Sequence, residues 1–237
     1  MPITTTKSAY LAGLRDGAPF MLVAGPFAML FGVLATEAGL SVFEVMSFSL
    51  VVIAGAAQFT ALQLMQDAAP TVIVLLSALA VNLRVAMYSA ALTPYLGRAP
   101  LWQRAFAAYL LVDQSYALSH AKFDATPEMS VPQRMSYYFG TCTLVMIVWF
   151  GCSYLGAALG TALPADLPLD FALPIAFLSM VAPMMRTLPH LIAAAVAIVV
   201  SLVAVNIPYS LGLIVAGVAG MMAGAQSELW VKARSHD

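Results

Sequence analysis

The chain has 237 residues, of which 62% are hydrophobic and 9% charged, with a mean hydropathy of +0.91 and a formal net charge of -1. A soluble domain carries about 25% charged residues, so this composition belongs in a bilayer. Lys and Arg are scattered rather than clustered, which excludes the basic face that nucleic-acid phosphates require.

The opening stretch, MPITTTKSAYLAGLRDGAP, does not read as a signal peptide, because Lys7, Arg15 and Asp16 interrupt it and no apolar core leads to a small-residue cleavage site. Residues 1–17 are expected as a cytoplasmic or interfacial segment, either a short interfacial helix over 4–16 carrying Tyr10, Leu11 and Leu14 or a polar lead-in. Apolar stretches of about 17 to 25 residues, long enough to span, follow at 18–39, 42–65, 70–93, 104–121, 136–162, 171–188, 189–206 and 208–225. The expected fold is an all-α, polytopic transmembrane helical bundle. It has about eight hydrophobic segments, with room for broken or re-entrant helices, notably a re-entrant pair within 42–93. A single transmembrane domain over 18–225 is followed by a cytoplasmic tail at 226–237.

Connectors carry the helix breakers Pro70, Pro100, Pro127, Pro132, Pro164, Pro168, Pro189 and Pro208. With an even number of crossings both termini share a side. That side collects Lys7, Arg15, Lys122, Arg134, Arg186, Lys232 and Arg234 against Arg98 and Arg104 opposite, which favours N-in and C-in. Cys142 and Cys152 would lie about 15 Å apart along a helix, too far to bridge, and read as small packing residues. The pairs Gly156/Gly160 and Gly220/Gly224 let helix backbones approach closely, within this chain in preference to a subunit interface. Glu37 and Glu44 flank a turn, Arg186 and His190 bracket another, and Trp102 and Trp230 read as interfacial anchors. His120, at a segment end beside Lys122, is expected to be solvated.

Few polar residues sit deep. Gln58 in AGAAQFTAL, Asn82 and Arg84 in VNLRVAMYS, and Asp113 with Gln114 in LLVDQSYAL all lie well inside apolar segments. A charge at mid-bilayer costs about 2.5–3.5 kcal/mol even on the gentler insertion scale, so it faces a cavity or a partner. If 70–93 and 104–121 form a hairpin with its tip near Arg98 and Ala99, Arg84 and Asp113 are each about 14 residues from that tip and reach the same depth. Asp113 is therefore the candidate counter-ion of Arg84. Tyr88 follows Arg84 at i+4, and Tyr109 and Tyr116 flank Asp113 at i-4 and i+3; these rings either line a cavity or fill the core. Asn82 and Arg84 lie about 200° apart on an ideal helix and share a cavity only if the helix is broken or the cavity wide.

These residues suit a small solute carrying both charges, with Gln58, Asn82, Arg84, Tyr88, Asp113 and Gln114 as candidate binding groups. The alternative is an ion pair that only fixes the hairpin of a structural or assembly subunit. No HExxH, paired deep aspartates or deep Ser with His supports an intramembrane enzyme, and no charge ring or polar filter supports a channel. No catalytic residue, metal or cofactor is expected.

The blocks GPFAMLFGVLATEAGLSVFEVMSFSLVVIAGAAQFTALQLM, NLRVAMYSAALTPYL, Trp102 and LVDQSYAL resemble the successive landmarks of the AzlC family of branched-chain amino acid permeases, over about residues 11–225. The stretch DFALPIAFLSMVAPMM matches more loosely. The resemblance implies a bacterial inner-membrane, multi-pass exporter of branched-chain or similar hydrophobic amino acids, working with a small hydrophobic AzlD-type partner subunit. Two positions depart from the family pattern: Ala57 stands where GxSQF has Ser, and Gln114 stands where the family has a second acid after Asp113.

Overall fold

A computed structural model describes residues 5–162, 187–205 and 211–234, with Leu178, Met185 and Ile207 as isolated positions. The described residues form helices and no strand. In chain order these are α1 (Thr6–Gly17), α2 (Met21–Glu37), α3 (Val42–Val51), α4 (Gly55–Gln66), α5 (Thr71–Leu96), α6 (Leu101–Tyr109), α7 (Asp113–Ala125), α8 (Val131–Gly160), α9 (Leu188–Val203) and α10 (Leu211–Arg234). A 3₁₀ turn at Ala18–Phe20 joins α1 to α2, so that Thr6–Glu37 is one apolar stretch of 32 residues. It is long and apolar enough to cross a bilayer, as are Thr71–Leu96 and Val131–Gly160.

Two expected crossings are interrupted. The 42–65 segment divides into α3 and α4, and the 104–121 segment into α6 and α7. At 10 and 12 residues, α3 and α4 are each well short of a bilayer's hydrocarbon thickness, as are α6 and α7 at 9 and 13. The first break follows the β-branched run Val51, Val52 and Ile53, with Val52 extended at φ -121° and ψ 90°, and Gly55 opens α4. The second ends with Val112 extended at φ -129° and ψ 165°. There Ser115 Oγ accepts the Val112 N–H at 3.1 Å, satisfying a donor that the new helix start leaves free. The α5 helix that carries Asn82 and Arg84 is, by contrast, unbroken.

The chain divides into two compact units, one of Met1–Leu62 with Val81–Leu169 and the other of Gln63–Ala80 with Asp170–Asp237. In the first, α1 and α2 pack along α8 through glycines. A Cβ on Gly13 would meet the Tyr137 carbonyl, one on Gly140 the Tyr10 carbonyl, and one on Gly156 the Met29 carbonyl. Such contact carries much of helix association in lipid, where hydrophobicity gives no preference between neighbours. Tyr137 donates to Asp16 at 2.8 Å, and Tyr10 to Thr143 at 2.9 Å. The segment before residue 18, expected as a short helix or a polar lead-in, is a helix with Ala9, Gly13 and Gly17 buried, packed on α8.

In the second unit, α9 and α10 pair, and Gly220 and Gly224 face Ala193 and Ala197. Both glycine pairs are therefore covered by the chain itself. Helix α10 runs on to Arg234 through most of the expected tail. The expected 171–188 segment, the DFALPIAFLSMVAPMM block and Arg186 lie almost wholly outside the described residues.

Candidate functional site

The two interruptions are linked: the Tyr109 hydroxyl, at the end of α6, donates to the Leu50 carbonyl near the end of α3 at 2.6 Å. Around the first break, rings fill the space. Phe27 and Phe31 of α2 meet Phe59 of α4 edge to face at centroid distances of 4.7 and 5.6 Å, Phe48 packs on Phe31 at 5.7 Å, and Trp149 of α8 lies 6.1 Å from Phe27. A Cβ on Gly55 would come within 2.7 Å of both the Phe27 and Trp149 rings, so this helix start needs glycine. Gln58, fully buried, donates from Nε2 to Ser49 Oγ at 3.1 Å and leaves Oε1 without a partner.

Around the second break, the stabilising groups are polar. Tyr138 of α8, fully buried, donates to the Ala107 carbonyl at 2.7 Å, and the Cys142 thiol donates to the Leu110 carbonyl at 3.6 Å. These carbonyls belong to the end of α6, where no further turn of helix supplies a donor. Cys142 is thus more than a packing residue.

Asp113 is the first residue of α7, where the helix dipole favours negative charge. Its Oδ2 lies 3.2 Å from an Arg84 guanidinium nitrogen, and the two side chains remain 30% and 31% exposed. The pair is formed and stays partly exposed. Tyr88 stacks on Tyr116 with centroids 4.2 Å apart and planes 9° from parallel, and the Tyr88 hydroxyl lies within reach of the Asp113 carboxylate. Arg84 Nε and Asn82 Oδ1 are buried without partners. Arg84 Nε lies beside the charge pair, whereas Asn82 is on another side of α5.

Of the six candidate residues, Arg84, Asp113 and Tyr88 are brought together, with Tyr116 beside them. Gln58 sits at the other break with Ser49. Asn82 shares the unbroken α5 with Arg84 but lies two residues away, on a different side of the helix. Gln114 is half-buried as the second residue of α7. Sequence reasoning missed Ser49, Ser115, Tyr138 and Cys142 as supports of the breaks. Ser115, two residues past Asp113, is the one with a readable signal, because acids and serines together mark helix starts.

Spanning apolar helices, two linked helix interruptions and an accessible ion pair at one of them define a polytopic helical membrane protein of transporter type. Residues 19–163 match the family described as AzlC protein, and the chain belongs to that family. It is 28% identical over 117 residues to the inner membrane protein YgaZ of Escherichia coli (strain K12), a match covering 49% of this chain and 48% of that protein. The chain thus spans about half the length of the curated relative it matches. No solved structure matches it. The family and the spanning helices make it a multi-pass protein of the bacterial inner membrane.

Proposed function

We propose that the chain is the large subunit of a secondary transporter that exports branched-chain or similar hydrophobic amino acids, working with a small AzlD-type membrane subunit. The observation that carries this reading is the Arg84–Asp113 pair, closed at 3.2 Å yet accessible at the head of a broken helix. A zwitterion replaces one set of charge contacts by another. Its carboxylate takes Arg84, its ammonium takes Asp113, and the cost of desolvating each protein charge is offset in both the empty and the loaded state. The unpartnered Arg84 Nε supplies a further hydrogen bond.

The aliphatic side chain lies against Met87, which is 62% exposed one turn from Arg84, and against the Tyr88–Tyr116 stack. Phe59 is closed to it, being fully buried among Phe27 and Phe31. Rocking of helix groups around the interruptions moves the site between the two faces. Cells lacking the chain are expected to accumulate free leucine or valine when fed dipeptides containing them. Unchanged internal pools and efflux rates for every hydrophobic amino acid tested would defeat the reading.

A further inference from the structure

A cavity of about 340 Å³ lies in the first unit between the end of α5, α6 and the start of α8. Its floor is apolar, because Leu92, Leu96, Ala107, Leu111 and Met135 line it and are all buried. Two of the hydroxyls in its walls are spent on backbone: Tyr138 donates to the Ala107 carbonyl at 2.7 Å, and Thr93 to the Ser89 carbonyl at 2.8 Å. A dry cavity of about 150 Å³ takes a benzene, so this one takes roughly a dozen carbon atoms. That is a length of hydrocarbon chain. A helix, about 10 Å across with its side chains, does not fit.

The rim is cationic. Arg104 of α6 lines the cavity, is exposed and forms no ion pair with a described residue. Arg98, next to Gly97 of the same rim, is exposed and likewise unpaired among the described residues. No acid occurs in the sequence between Asp67 and Asp113, and no described residue lining the cavity is acidic. A zwitterionic amino acid would find a partner here for its carboxylate and none for its ammonium, so the cavity does not suit a second substrate molecule. An anion with an apolar tail leaves nothing unpaired. The depth agrees with that chemistry. At 26 residues α5 is longer than the about 20 that cross the hydrocarbon, so its last turn and the Gly97–Pro100 connection reach the lipid headgroups. Trp102, 67% exposed and two residues before Arg104, is the residue type that marks that level.

We propose that this cavity binds an acidic phospholipid of the surrounding bilayer, with its phosphate on Arg104 and one acyl chain laid between α5, α6 and α8. A guanidinium takes a phosphate through paired charge-assisted hydrogen bonds, and Arg98 adds positive charge at the same rim. Inside, the chain covers Leu92, Leu96 and Met135. It also meets Ala107 and Leu111, where α6 ends, so the lipid completes the packing around the second break beside the Tyr138 hydrogen bond that supports it. The site uses neither Arg84 nor Asp113 and stands whichever solute the protein carries.

The test is native mass spectrometry of the chain, with any small membrane subunit that co-purifies, released from nanodiscs holding equal amounts of phosphatidylglycerol and phosphatidylcholine with the same acyl chains. Wild type should retain phosphatidylglycerol over phosphatidylcholine by about tenfold or more, the effect of a charge-assisted hydrogen bond. Arg104→Gln should lose most of that preference, and Arg104→Lys should keep part of it. Ala108→Phe, which puts a ring where an exposed alanine lines the cavity, should release the retained lipid of either headgroup. Glycerol 3-phosphate, the same anion without a chain, should not displace the lipid. No preference in wild type, an undiminished preference in Arg104→Gln or unchanged retention in Ala108→Phe overturns the proposal. Displacement by glycerol 3-phosphate makes the rim a site for soluble phosphates and overturns the lipid. A photo-cross-linker on Ala108→Cys that captures a second polypeptide in place of lipid gives the cavity to a protein partner and overturns it as well.

Discussion

At Val52–Ala54 the chain leaves the helix among aromatic rings, and at Leu110–Val112 it does so among hydroxyls, a thiol and a charge pair. The backbone device is the same, a spanning segment split into two short helices. What surrounds it differs. The first break is dry, its Gln58 fully buried and tied to Ser49, and Gly55 admits no side chain between Phe27 and Trp149. The second keeps its charged residues about a third exposed at a helix start. Packing closes one interruption and leaves the ion pair of the other partly exposed, as the proposed substrate site requires. The Tyr109–Leu50 hydrogen bond ties the two breaks together.

Substitutions at the two breaks should separate these roles, beginning with the largest effect. Asp113→Ala leaves the Arg84 guanidinium without its counter-ion. It should cost about 3 kcal/mol and lower membrane-inserted protein severalfold, with no transport by what remains. Quantifying folded protein by size-exclusion fluorescence alongside leucine export checks both parts. Gly55→Leu drives a side chain into the Phe27 and Trp149 rings and should cost about 2 kcal/mol by overpacking, seen as a lowered melting temperature. Transport per folded molecule should stay within about twofold of wild type, a change in barrier well under 1 kcal/mol. A specific loss of transport would move the first break into the working part.

Smaller effects probe the groups that satisfy each broken end. Tyr138→Phe strands the Ala107 carbonyl and should cost about 1–2 kcal/mol in thermal unfolding. Ser49→Ala strands the Gln58 amide and should cost about 1 kcal/mol, whereas Ser49→Ala with Gln58→Leu should recover most of that, since removing both partners of a buried bond is nearly neutral. Neither change at the first break should alter substrate preference in an export competition between leucine and valine.

The pairing of Arg84 with Asp113 was legible because helix rise converts residue spacing into depth, and two lone charges in lipid have few other partners. Broken helices were expected, notably within 42–93, but the positions of the breaks were not legible, because both are hidden in continuous apolarity. VVIAG and LLVD contain no proline, and hydropathy over a long window treats two half-helices as one crossing. The signals that existed were weaker ones, namely β-branching before Gly55 and the Asp113–Ser115 helix start. Gln58 looked as deep as Arg84 along the chain, yet Ser49, nine residues away, holds it at the other break. A helix before residue 18 was readable through Tyr10, Leu11 and Leu14, whereas the fit of Ala9, Gly13 and Gly17 on α8 lies on a face that a hydropathy reading does not see.

The central claim is that Arg84 and Asp113 bind the two ends of the substrate. Four strains test it most directly: wild type, Arg84→Ala, Asp113→Ala and the double variant, each assayed for protein level and for leucine export. Asp113→Ala should lower protein level more than Arg84→Ala, because a stranded carboxylate can take up a proton whereas a guanidinium cannot lose one. Removing both charges relieves the stranded charge, so the double variant should regain near wild-type protein level. If the pair is the substrate site, the double variant exports no leucine despite that recovery. Recovery of export together with protein level would reduce the pair to a structural bridge and contradict the account.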